Sequence, residues 1–282
     1  WARDKGDRFM IYNKKRDREF RATYRLEQDL RIAVERMHNE STDEFYLEYQ
    51  PKVNVREDVI GFEALLRWKH PSQGNIPPST FILIAEQNGL IHDLGKWAIS
   101  QACSVLREWQ KIDPMLTLSV NISPRQLNHD FITFMRNAIK ASGITTEGLE
   151  LEIVEREIVK DENARILEML HGLGICISVD DFTDERAGLR QIAGLTDIIS
   201  TLKFSPSAIN YMMENKNYSY IVKGIIEIAH RYPKYVKMVA EGIDSKEKFD
   251  RCIMLGFDYL QGFYKNREPK SYEEATRLVL MR

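Results

Sequence analysis

From Phe45 onward the sequence alternates short β-rich runs with amphipathic helical stretches, and this alternation constrains the fold more than any other feature of the 282 residues. A strand followed by a covering helix and then another strand is the signature of parallel βα units. The runs lie near 45–50, 60–67, 116–122, 149–154, 175–181, 198–204, 235–241 and 257–263, eight in all, the number a closed (β/α)8 barrel needs. Helical apolar faces are legible over 94–109, 131–141, 164–173, 220–229 and 246–255. The first two strands depart from the scheme. Only Asn54-Val55-Arg56-Glu57-Asp58 joins them, whereas a parallel crossover needs about a dozen residues or more, so they pair antiparallel. The pattern predicts an α/β fold, a modified TIM-like (β/α)8 barrel with one antiparallel strand. Residues 1–42 are charge-dense, with a helical stripe at Leu26, Leu30, Ala33 and Met37. They are expected to form an entry segment ahead of a barrel domain over 43–282.

Composition removes several function classes. Lys and Arg total 40 against 42 Asp and Glu, a formal net charge of −2, which lacks the basic excess of a dedicated nucleic-acid binder; direct DNA binding is not expected. The cluster Lys14-Lys15-Arg16 with Arg18 reads as solvated surface. Cys103, Cys176 and Cys252 are odd in number, far apart and form no CxxC pair, so neither a disulfide framework nor a zinc site is indicated. No apolar run approaches the ~18 residues of a membrane span, and a cytoplasmic location is expected. Because the sequence starts at Trp1 rather than Met, it is expected to be part of a longer chain whose remainder could carry a sensor or a membrane anchor.

Polar residues on the strands carry the chemistry. In Leu149-Glu150-Leu151-Glu152-Ile153 a period of two puts the apolar residues on one face and both carboxylates on the other, inside a barrel. Unpaired carboxylates there would cost several kcal/mol each, so they require cations or protonation, and a metal is the favoured answer. Cys176 to Phe182 ends in Asp180-Asp181, at the strand end where parallel barrels place their active sites. Asn121, Lys203, Glu241 and Gln261 recur at other strand ends, predicting convergence at one mouth. This oxygen-rich set, without Cys or His, suits Mg²⁺, Mn²⁺ or Ca²⁺ rather than Zn²⁺ and points to phosphate chemistry. The six histidines form no HxxxH or HExxH pair, and Gly89 to Lys96 has five residues between its glycines, so zinc proteases and P-loop NTPases are excluded.

The segments Tyr49-Gln50-Pro51, Glu63-Ala64-Leu65-Leu66-Arg67-Trp68, Phe81 to Gly89, Asn121-Ile122-Ser123, Glu150 to Glu155, Asp180-Asp181-Phe182, Lys203, Ala240-Glu241-Gly242 and Gln261-Gly262-Phe263 together resemble the EAL-domain cyclic-di-GMP phosphodiesterases. Order and spacing agree over about 45–270. The resemblance implies a first metal held by Glu63, Asn121, Glu152 and Asp180, and a second among Asp180, Asp181 and Glu241, as two Mg²⁺ or Mn²⁺ ions with Ca²⁺ inhibitory. It further implies Lys203 and Gln261 at the attacking water, Gln50 and Arg67 on the cyclic dinucleotide, and Glu155 bracing the loop after the paired aspartates. The implied reaction is hydrolysis of cyclic-di-GMP to linear pGpG in bacterial second-messenger signalling, with a homodimer and an upstream GGDEF or sensor domain as partners. Residues 1–42 resemble the end and linker of a GGDEF domain, although the motif itself is lacking.

Two departures from the family open a second reading. Thr183-Asp184-Glu185-Arg186-Ala187-Gly188-Leu189 replaces a glycine-rich loop with charged residues, and Phe204-Ser205 stands where the family usually has Ile-Asp after the lysine. Loss of backbone freedom near Asp181 and of a carboxylate near Lys203 is what a catalytically weak or inactive cyclic-di-GMP receptor would carry.

Overall fold

The computed structural model describes residues 14–39, 43–155, 161–182, 197–231, 235–265 and 267–281. The chain divides into two compact units, Trp1–Tyr46 with Arg67–Ile91, and Leu47–Leu66 with His92–Arg282. Strands β1 (Phe45–Asn54) and β2 (Val59–His70) contribute residues to both.

The larger unit is the barrel. Its strands are completed by β4 (Thr117–Asn121), β5 (Leu149–Val154), β6 (Cys176–Phe182), β7 (Ile199–Phe204), β8 (Lys237–Ala240) and β9 (Tyr259–Gln261), in the order β1-β9-β8-β7-β6-β5-β4-β2, and a β1–β2 pairing closes the ring. From β2 round to β9 the neighbours are parallel, while β1 runs antiparallel to β9. The predicted barrel and its one reversed strand are both present. The short β1–β2 connection works because Asn54 Oδ1 accepts from the backbone N–H groups of Arg56 (2.8 Å) and Asp58 (3.0 Å), an Asx turn, with Glu57 left-handed at φ 69°.

Close backbone approach fixes one register. Gly61 on β2 lies opposite Thr117 on β4, and a Cβ there would stand 2.1 Å from Thr117 Oγ1 and 2.5 Å from its carbonyl oxygen. The same pairing aligns Glu63 with Ser119, and the next aligns Asn121 with Glu152. Outside the strands pack α3 (Ile91–Gln110), α4 (His129–Ser142), α5 (Asp161–His171), α6 (Pro206–Glu214), α7 (Lys216–Arg231), α8 (Lys246–Leu255) and α9 (Tyr272–Leu280). Their inward stripes, such as Ile99, Ala102 and Leu106 on α3 and Val222 and Ile226 on α7, are buried against the strands. Trp109 closes this core, its ring 4.7 Å from Phe62 and its indole N–H donating to Thr276 Oγ1. Burying such side chains contributes about 1.5–3 kcal/mol each.

The smaller unit pairs α1 (Lys14–Asn39) and α2 (Pro78–Asn88) with β3 (Gly74–Ile76), which is antiparallel to the end of β2 and outside the ring. Leu30, Ala33 and Val34 of α1 are buried, as are Phe81, Ile84 and Ala85 of α2. Leu26 and Met37, predicted on the same stripe, are only half-buried. Trp68 has ring neighbours Phe45 at 6.0 Å and Phe81 at 5.9 Å, and its indole N–H reaches Glu44. Among the described residues no helix is long and apolar enough to cross a membrane.

Candidate functional site

The barrel interior of the larger unit gathers polar side chains from seven strands. Lys203 on β7 is 1 % exposed. Its ammonium lies 2.6 Å from Glu152 Oε2, 2.7 Å from Glu241 Oε1, 3.2 Å from Asp180 Oδ1 and 3.4 Å from Glu63 Oε2. Glu63 also accepts from Asn121 Nδ2 and Gln261 Nε2, each at 2.6 Å, and the Gln261 amide reaches Gln50 Oε1 at 3.1 Å. Asp180, Asp181 and Glu241 offer carboxylate oxygens within 4.8 Å of one another. Gly242, at φ 67° against Pro206, lets the chain turn directly after Glu241 where a side chain would clash.

Residues expected to converge therefore do so: Glu63, Asn121, Glu152, Asp180, Asp181, Lys203, Glu241, Gln261 and Gln50. Arg67 lies four residues beyond Glu63 on β2 and belongs to the smaller unit. Glu155 directly follows β5 and is buried. The loop it was expected to brace, 183–189, lies outside the described residues. At the second departure, Ser205 caps α6, its Oγ accepting from Ala208 N, and Lys203 has its carboxylates from other strands.

One participant is not apparent from the residues singled out in the sequence. Lys52 on β1 is 2 % exposed, and its ammonium lies 2.7 Å from Glu150 Oε2 and 3.0 Å from Ser119 Oγ. The cation that Glu150 requires is thus a lysine, not a metal. Lys52 stands two residues from Gln50 and so shares its face; that spacing is the signal that could have found it.

Electrostatics separates the groups. Burial alone would lower Lys203, but Glu152, Glu241, Glu63 and Asp180 hold its ammonium well above the usual lysine value, so it is a fixed cation. Burial and the nearby Glu63 carboxylate push Glu152 up to about 8. Burial likewise pushes Glu241 up to about 7, with Lys203 opposing. Burial would raise Glu63 too, yet Lys203 and the two amide donors keep it below the ordinary range. When ionised, Glu63, Glu152, Asp180, Asp181 and Glu241 carry five negative charges against one on Lys203, an excess of four, the charge of two divalent cations. Oε1 of Glu152 is buried and accepts no hydrogen bond from the described residues, while Oδ1 of Asp180, also buried, has the Lys203 ammonium 3.2 Å away as its ion-pair partner. A buried carboxylate oxygen without a hydrogen bond, oxygen-only donors and excess negative charge fit hard divalent ions.

Residues 27–267 match the EAL domain family. The bifunctional diguanylate cyclase/cyclic di-GMP phosphodiesterase MucR of Pseudomonas aeruginosa is 34 % identical over 244 residues, covering 85 % of this chain and 34 % of that protein. The chain spans about a third of the length of the curated relatives it matches. A solved PaMucR phosphodiesterase in complex with c-di-GMP superposes with a TM-score of 0.79 at 33 % identity, covering 89 % of this chain and 99 % of that one. The EAL enzyme Bd1971, bound to cAMP and cyclic-di-GMP, superposes with a TM-score of 0.82 at 28 % identity, covering 93 % and 70 %. With its barrel, its strand-end carboxylates and this match across most of its length, the chain belongs to the EAL domain family.

Proposed function

We propose that the 43–282 domain is a metal-dependent phosphodiesterase that opens cyclic-di-GMP to linear pGpG. The observation that carries this reading is the meeting of four carboxylates on the buried ammonium of Lys203, beside a buried Glu152 oxygen that has no hydrogen bond and suits a divalent ion. The c-di-GMP-bound relatives support the choice of ligand. Glu63, Asn121, Glu152 and Asp180 would hold one Mg²⁺ or Mn²⁺, and Asp180, Asp181 and Glu241 a second. Such ions, when bound, offset the phosphodiester's negative charge and lower the pKa of water.

The chain's own residues do the rest. In the reaction a water oxygen bonds to phosphorus in line with the departing 3′ oxygen, the P–O3′ bond breaks, and the water's proton ends on that oxygen. Lys203, held cationic, acts as a donor that orients the water or steadies negative charge in the transition state, not as a base. Gln261 and Asn121 keep the Glu63 carboxylate ionised and aimed. Gln50, joined to Gln261, would contact the dinucleotide.

Incubation of the 282-residue chain with cyclic-di-GMP and Mg²⁺ or Mn²⁺, followed by chromatography, is expected to yield pGpG and to yield none in EDTA. Tight cyclic-di-GMP binding with no pGpG under either metal would replace this reading with that of a receptor.

A further inference from the structure

The Lys52–Glu150 pair lies in the barrel interior beside the metal site and takes no part in the reaction proposed above. It crosses the interior: β1 and β5 are not neighbours in the ring. Lys52 has two buried acceptors, Glu150 Oε2 at 2.7 Å and Ser119 Oγ at 3.0 Å, and Ser119 stands directly opposite Glu150 across the β4–β5 register. The Glu150 carboxylate is further tied by the hydroxyl of Thr201 on β7. A third acceptor lies just out of reach. Oε1 of Glu152 is 3.7 Å from the Lys52 ammonium, buried and without a hydrogen bond from the described residues. A shift of 1.0 Å, the difference between 3.7 and 2.7 Å, would turn that gap into a contact as short as the one to Glu150.

We propose that Glu150 is a positioning residue for Glu152: by holding the Lys52 ammonium it keeps that cation off Oε1 of Glu152 and so leaves that oxygen to a divalent ion. The inference rests on the metal-site reading above. A lysine deprived of its carboxylate inside a barrel cannot reach water, so its strongest alternative partner is the nearest carboxylate oxygen. Lys52 is therefore a latent competitor of the metal, and Glu150 with Ser119 is its restraint. The competition has a sign that a structural pair lacks. Removing Glu150 alone should weaken metal binding, and removing Lys52 as well should restore it.

Isothermal titration of the chain with Mn²⁺, in the absence of nucleotide, tests this. Glu150→Gln is expected to raise the Mn²⁺ dissociation constant by about 10–100-fold, the range seen when groups supporting metal ligands are lost. The double variant Glu150→Gln, Lys52→Met is expected to return to within about threefold of the starting protein, a non-additivity that reports direct coupling. Should Glu150→Gln fail to fold, Glu150→Asp, which retracts the carboxylate by one methylene, takes its place with the same expected rescue by Lys52→Met. A folded Glu150 variant that binds Mn²⁺ as well as the unsubstituted chain, or a double variant as weak as the single, overturns the proposal. No Mn²⁺ binding by the unsubstituted chain would instead overturn the metal-site reading itself, and the inference with it.

Discussion

Asp181 shows how a single backbone angle makes a binding geometry. Adjacent residues on an extended strand point to opposite faces, so Asp180 and Asp181 at the end of β6 should not share a target. Asp181 instead adopts φ 53°, in the left-handed region that costs an L-residue about 1–2 kcal/mol relative to right-handed backbone. That turn breaks the alternation and brings both carboxylates within 4.8 Å of each other and of Glu241. The pairing Asp180-Asp181 is legible in the sequence; the positive φ is not, because aspartate has no intrinsic need of it. The strain predicts a trade between stability and binding. Asp181→Gly, which accepts this φ freely, is expected in EDTA to match or exceed the parent's stability by up to about 1 kcal/mol in urea denaturation, while its Mn²⁺ affinity falls. A variant less stable than the parent that still binds Mn²⁺ equally would refute the account.

Among the elements, the β2–β4 pair sets the depth of Glu63 in the interior, and it depends on Gly61. A methyl at that position meets the Thr117 carbonyl at 2.5 Å, backbone that cannot step aside without shifting the strand. Gly61→Ala is therefore expected to cost about 1–3 kcal/mol, in the range of overpacked cores, and to lower turnover further than the stability loss explains, because Glu63 follows two residues on. Thermal melting and pGpG formation measured on one preparation separate the two effects. Most strands were legible because the two-residue period of a half-polar strand survives any tertiary context. The antiparallel β1 followed from linker length alone. Other elements escaped for physical reasons: β3 is three residues long, too short for a period, while α2 and α6 both open with a proline at N1, which reads as a turn unless the following stripe is weighed. Lys52 escaped because its partner Glu150 is 98 positions away. Only barrel closure brings them together, and a lysine beside a proline otherwise reads as surface.

Across the whole molecule the formal charge is nearly balanced at −2, yet its interior is not. Carboxylates outnumber ammonium groups around Lys203, and the metal-free protein offsets that excess by retaining protons. Glu152 is raised to about 8 and Glu241 to about 7 from a usual value of 4.5. Between the unfolded and folded values the native state binds more protons than the unfolded chain, so stability falls as pH rises through that window. Glu63 and Glu150 are shifted the other way; their contribution is present above the ordinary carboxylate range and lost only as acid protonates them. Lys203 and Lys52, held above the usual lysine value, stay charged throughout. In EDTA the melting temperature should therefore decline from about pH 5.5 to about pH 8.5. With saturating Mn²⁺ the slope should flatten or reverse, because ligation requires the deprotonated carboxylates that alkaline pH supplies. The two curves should diverge steadily toward alkaline pH. Parallel curves, or an EDTA curve flat across that interval, would mean that the interior carboxylates are already ionised without a metal, and the excess of negative charge would then have to be balanced by something other than protons or divalent ions.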